Sequence, residues 1–97
     1  MSIRELISDC IHTMGFSPRE ITDRTSGEFA LALLNMLGVE PGKEDPNCRL
    51  TFTEDVTEED LPRHAWVFFN GKHYDAESPE GKKDWRQLPV FRRAEEA

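Results

Sequence analysis

The residues of this chain best placed to do chemistry are His64 and Asp75, which flank the dipeptide Asn70-Gly71. On either side of Asn70-Gly71 run Ala65-Trp66-Val67-Phe68-Phe69 and Lys72-His73-Tyr74, rich in aromatic residues. Asn-Gly in that setting suits a two-residue type I′ hairpin, because both turn positions need a positive φ. A tight turn pairs Phe69 with Lys72, Val67 with Tyr74 and Trp66 with Asp75. Side chains alternate across a strand, so His64, Trp66 and Phe68 share a face with His73, Asp75 and Glu77. His64 then lies diagonal to Asp75, roughly 7–8 Å away at the backbone and within side-chain reach. An imidazole oriented by a carboxylate is two thirds of a nucleophilic triad.

Three residues compete for the remaining third. Cys48 lies in a loop just before a strand, and a loop thiol beside a histidine can be activated, giving Cys48-His64-Asp75. Cys10 falls within the apolar stripe of the first helix and reads as a buried core thiol. Ser26 opens the third helix, where the dipole stabilises an anion, but the same position suits a capping accessory. His64, His73, Asp75 and Glu77 also have the donor types of a metal site. The simpler reading is a solvated polar rim, and no metal or cofactor is expected. His12 falls off the apolar stripe and reads as surface.

Three helical segments precede these residues. Ser2 and Glu5 read as a capping box ahead of an apolar stripe at Ile3, Leu6, Ile7, Cys10, Ile11 and Met14, stopped by Gly15. Ser17-Pro18-Arg19-Glu20 is a second start signal. Thr25 and Glu28 suggest a third box, opening the run from Phe29 to Leu37, apolar almost all round and expected to be the buried central helix. Residues 39–47 form a Pro-, Gly- and charge-rich loop. Leu50-Thr51-Phe52-Thr53 alternates as a short strand, a helical turn is expected from Thr57, and Ser78-Pro79-Glu80-Gly81 is a turn. Asp84 to Leu88 suggests a short helical turn, Val90-Phe91 an edge strand, and Arg92 to Ala97 a frayed tail. The expected class is α+β: one domain over 1–97, helical through 1–38, with a small antiparallel sheet through 49–91 that includes the hairpin 64–77.

Composition narrows the function. A net charge of −7 over 97 residues argues against direct nucleic-acid binding, which needs Lys and Arg to neutralise phosphate. It suits a protein partner with a basic surface, including one that normally holds nucleic acid. Glu54, Asp55, Glu58, Glu59 and Asp60 place five carboxylates in seven residues, either a solvated loop or the docking face for such a partner. Trp66 is expected to pack under the central helix. Trp85 either closes the C-terminal turn over the hairpin or anchors a partner. No apolar stretch is long enough to span a membrane and no secretory leader is evident, so a cytoplasmic location is expected. Two cysteines match neither a disulfide scaffold nor a zinc pattern and are expected to be reduced.

The string His64-x-Trp66-Val67, a short turn, Tyr74-Asp75-Ala76-x-x-Pro79-x-Gly81 and then Trp85-x-x-Leu88-Pro89 resembles the His-and-Asp half of small transglutaminase-like or papain-like cysteine hydrolase domains of bacterial or phage type. The resemblance covers about Thr25 to Phe91. It implies a central helix with the nucleophilic cysteine at its start, followed by the strands carrying the histidine and the acid. Here that start reads Thr25-Ser26-Gly27-Glu28, and alignment on Ala30-Leu31-Ala32-Leu33 sets Glu28 at the cysteine position. The resemblance therefore implies a scaffold without its nucleophile. The expected function is a small acidic, non-catalytic binding protein, of the kind a phage encodes to inhibit a host protein or defence complex. The alternative is a thiol hydrolase or acyltransferase using Cys48-His64-Asp75.

Overall fold

The computed structural model describes residues 2–40 and 42–96; Met1, Pro41 of the central loop and Ala97 of the tail lie outside the described residues. The first helix, α1 (Ile3–Met14), starts on the expected capping box: Glu5 N–H donates to Ser2 Oγ at 3.2 Å and Ser2 N–H reaches back to Glu5. It ends on Gly15, left-handed at φ 76°, which a residue with a Cβ adopts only at a cost. The second helix, α2 (Pro18–Arg24), repeats the device with Ser17 and Glu20. The third, α3 (Ser26–Met36), does not. Thr25 makes no side-chain cap there, because it also ends α2, its N–H bonding Ile21 O at 2.9 Å. That role holds its ψ at 31°, away from the extended geometry an N-cap residue needs. One face of α3 is buried through Phe29, Ala30, Leu33 and Leu34, while Leu31 and Met36 remain substantially exposed.

The sheet has three antiparallel strands in the order β1 (Cys48–Phe52), β2 (Ala65–Phe69), β3 (Lys72–Tyr74). Asn70 and Gly71 have φ of 47° and 84°, the signature of the expected turn, and Phe69 pairs with Lys72 and Val67 with Tyr74. The ladder stops at Tyr74, so Trp66 and Asp75 are not a ladder pair. The chain bends back through residues 78–81, and Lys82 exchanges two backbone hydrogen bonds with His73 at 2.7 and 2.9 Å. Gly81 makes this possible: its φ is 78°, and a Cβ there would lie 2.7 Å from the Tyr74 ring.

Alternation along β2 divides the core in two. Ala65 and Val67 pack with Ile7, Ile21, Phe29, Leu33 and Leu34 beneath the three helices. Trp66 points to the other face and is buried with Leu88 and Phe91, flanked by Val56, Leu61, Trp85 and Val90. Trp66 therefore does not pack under α3; the pleat sends it away from α3.

Two C-terminal expectations change for the same reason. Residues 90–91 lie in a helix, α5 (Pro89–Glu96), rather than an edge strand, since Trp66 offers an apolar face that Phe91 covers from a helix. The tail is helical through Glu96 rather than frayed. Upstream, Thr53 leaves the strand to begin the single turn α4 (Thr53–Val56), and Thr57 ends that turn instead of starting one. The expected turn at Trp85–Gln87 is present as a 3-10 helix. The architecture is α+β: three helices on one face of a small antiparallel sheet and α5 on the other. Among the described residues, no helix is long and apolar enough to cross a membrane.

Phe91 is 1% exposed, so Phe91→Ala should cost about 3–5 kcal/mol by urea denaturation and accelerate amide exchange in α5. An unchanged midpoint would show that α5 does not close this face.

Candidate functional site

Thr53 and Asp75 position His64 from two directions. Thr53 N–H donates to His64 O at 3.0 Å, and His64 N–H donates to Thr53 Oγ1 at 2.9 Å. The Thr53 hydroxyl donates in turn to Pro62 O at 2.9 Å. With its backbone clamped, His64 sets Nε2 2.8 Å from Asp75 Oδ2, and the two side chains are 1% and 2% exposed. The second Asp75 oxygen accepts from Glu77 N–H at 3.0 Å, so each oxygen of the buried carboxylate has a donor. Trp66 stacks on the imidazole at 5.7 Å and Phe91 meets it edge-on at 5.9 Å. Low polarity strengthens the pair and makes an unpaired member costly.

The other ring nitrogen is free. His64 Nδ1 is buried and has no hydrogen-bond partner among the described residues. His64 lines a pocket of about 320 Å³ with Ser26, Gly27, Phe52, Glu54, Arg63 and Ala65. Ser26 Oγ accepts from Ala65 N–H at 3.3 Å, tying the start of α3 to the residue that follows His64. The α3 residues that share the pocket with His64 are thus Ser26 and Gly27, not Glu28. Two residues along a helix turn a side chain about 200° around the axis, and Glu28 is exposed.

His73 serves a different network. Trp66 Nε1–H donates to His73 Nδ1 at 2.9 Å, which requires that nitrogen to carry a lone pair. Burial, with help from the Arg49 guanidinium, pushes the His73 pKa down. Glu77 is tied to Arg93 by two hydrogen bonds of 2.9 Å. Burial is the largest single influence and would raise the Glu77 carboxyl, but Arg93, Thr22 and Arg19 together outweigh it and leave the pKa lowered. His64, His73 and Asp75 are therefore buried and bonded rather than a solvated rim, because Trp66, Leu88 and Phe91 cover this end of the sheet. Among the described residues no group of three or more His, Cys, Asp or Glu could hold a metal ion.

Neither thiol is brought to His64. Cys48 pairs with Phe69 while Phe52 pairs with Ala65, so Cys48 sits at the opposite end of the strand pair, about 13 Å away at the strand rise. Burial, then Asp45 and Glu44, push its pKa up. Cys10 belongs to the α1 core, and burial raises it as well.

The acidic residues Glu54, Asp55, Glu58, Glu59 and Asp60 are all exposed, on α4 and the segment after it. Glu54 reaches Arg63 at 3.9 Å on the pocket rim. Trp85 is half-buried, edge-on to Phe91 at 5.1 Å with Arg86 over its ring at 4.9 Å. His12 is exposed, as expected.

No protein-family model matches this chain, and neither a curated protein nor a solved structure matches it.

Two outcomes follow from this geometry. Both native cysteines should alkylate more slowly at neutral pH than a free thiol, at rates that do not depend on His64, as followed by mass spectrometry. A His73 pKa below its unfolded value of ~6.5 makes folding favour the neutral ring, so stability is fully present above that pH. It should fall as pH drops from there toward the lowered folded value, and Trp66→Phe should shrink this dependence in urea titrations across pH 5–7.

Proposed function

We propose that this chain is a small acidic binding protein that works by covering a basic surface of another protein, including a surface that normally holds nucleic acid. The observation that carries the reading is the row Glu54, Asp55, Glu58, Glu59 and Asp60, every member exposed, with Arg63, 3.9 Å from Glu54, the only ion-pair partner among the described residues. Exposed carboxylates in such a row raise the rate of encounter with a cationic partner and fix its orientation. The net charge of −7 acts in the same direction. Trp85, half-buried with one ring face under Arg86, supplies an aromatic anchor near the 3-10 turn. The reading extends to a cytoplasmic inhibitor of phage type, on a transglutaminase-like layout of central helix, His strand and acid. Hydrolysis through Cys48 is the weaker reading, since the sheet register separates that thiol from His64.

The test is fluorescence anisotropy with a labelled Lys/Arg-rich peptide at about 50 and 200 mM salt. The expected affinity falls with salt and falls about tenfold or more in the variant carrying Glu58→Lys, Glu59→Lys and Asp60→Lys. Equal affinity in that variant, or no salt dependence, would remove the acidic row from the function.

A further inference from the structure

The pocket beside His64 carries groups that a docking surface does not need. His64 lines the pocket; its Nδ1 is buried and has no hydrogen-bond partner among the described residues, Ser26 Oγ included, while the opposite nitrogen is held by Asp75 at 2.8 Å. In the neutral ring the Nε2 proton goes to the carboxylate and Nδ1 keeps a lone pair, the form of a general base. Ser26 shares the same wall. Its Oγ accepts from Ala65 N–H at 3.3 Å, and its own proton has no acceptor among the described residues. Ser26 is the first residue of an 11-residue helix whose preceding residue supplies no side-chain cap. The first-turn N–H groups of α3 are thus left for an oxygen that gains negative charge.

We propose that Ser26, His64 and Asp75 form a serine-based acyl-transfer site that takes neutral esters with small apolar acyl groups. In the step, Ser26 Oγ first turns toward His64 Nδ1, to which it makes no hydrogen bond in the resting structure, then attacks the carbonyl carbon, forming a C–O bond while its proton passes to Nδ1. Collapse of the adduct breaks the bond to the alkoxide oxygen, which leaves as the alcohol with the proton from Nδ1. Water then gives a proton to Nδ1, bonds to the acyl carbon and releases the acid, and Ser26 Oγ regains its proton. Asp75 orients the ring and stabilises its charged form. Phe52, 42% exposed on the pocket wall, offers an apolar rest for the acyl chain, and Glu54 disfavours anionic esters.

The full chain treated with an alkyl fluorophosphonate, with the adduct located by tandem mass spectrometry, tests this directly. The expected adduct is on Ser26 and is absent in Ser26→Ala. Ser26→Cys provides a second readout that leaves the buried pair intact. Its new thiol should alkylate with an apparent pKa at least one unit below the ordinary ~8.5. Absence of a Ser26 adduct on the folded wild-type chain, or a Ser26→Cys thiol that titrates as an ordinary one, would overturn the proposal. Neither readout depends on the acidic row, so peptide binding and acyl transfer can fail separately.

Discussion

A histidine and an aspartate at 2.8 Å, both almost fully buried, are a constraint that the surrounding structure has to meet. Removing such a pair from water costs several kcal/mol per charged group and is offset only when geometry and further hydrogen bonds are good. The fold meets that condition from all sides. Thr53 clamps the His64 backbone, Glu77 N–H fills the second Asp75 oxygen, and Trp66 and Phe91 exclude water. Arg93, through its fork on Glu77, ties α5 to the segment that carries Asp75. The second core is thus the enclosure of the pair as much as a store of apolar burial.

The asymmetry of the imidazole gives the enclosure a direction. One nitrogen is spent on Asp75; the other is buried without a partner in a residue that lines the pocket at the start of α3. Proteins rarely leave a buried ring nitrogen without a partner, because the desolvation it loses is not returned. His73, which also packs on Trp66, shows the contrast: its Nδ1 receives the Trp66 indole N–H at 2.9 Å. Two histidines on one sheet face therefore have different fates, one structural and one open. The acidic row lies on the rim of that opening through Glu54, so the charged surface and the pocket adjoin.

Much of this was legible from residue types. Asn70-Gly71 set the hairpin register, and alternation from that turn brought His64 to Asp75 without any knowledge of the fold. The boxes at Ser2 and Ser17 were equally plain, because each uses residues belonging to one helix alone. Thr25 misled because it is shared by two helices and its backbone answers to the first. Val90-Phe91 read as a strand because two apolar residues carry no period, and only the Trp66 face explains why they pack from a helix. Thr53 lay within an alternating run, so its part in holding His64 was hidden behind a strand pattern. The Arg93–Glu77 fork spans elements that no local rule connects. The position of Ser26 depended on helix rotation, which alignment on an alanine-leucine run two residues out of step could not supply.

The orientation of the His64 ring is the claim on which the rest depends, and long-range proton–nitrogen correlation NMR of the histidine rings measures it directly. The account predicts a slowly exchanging Nε2 proton on His64, shifted downfield by Asp75, with Nδ1 bearing the lone pair in the neutral ring. A rapidly exchanging ring proton, or a proton on Nδ1 in the neutral ring, would contradict it.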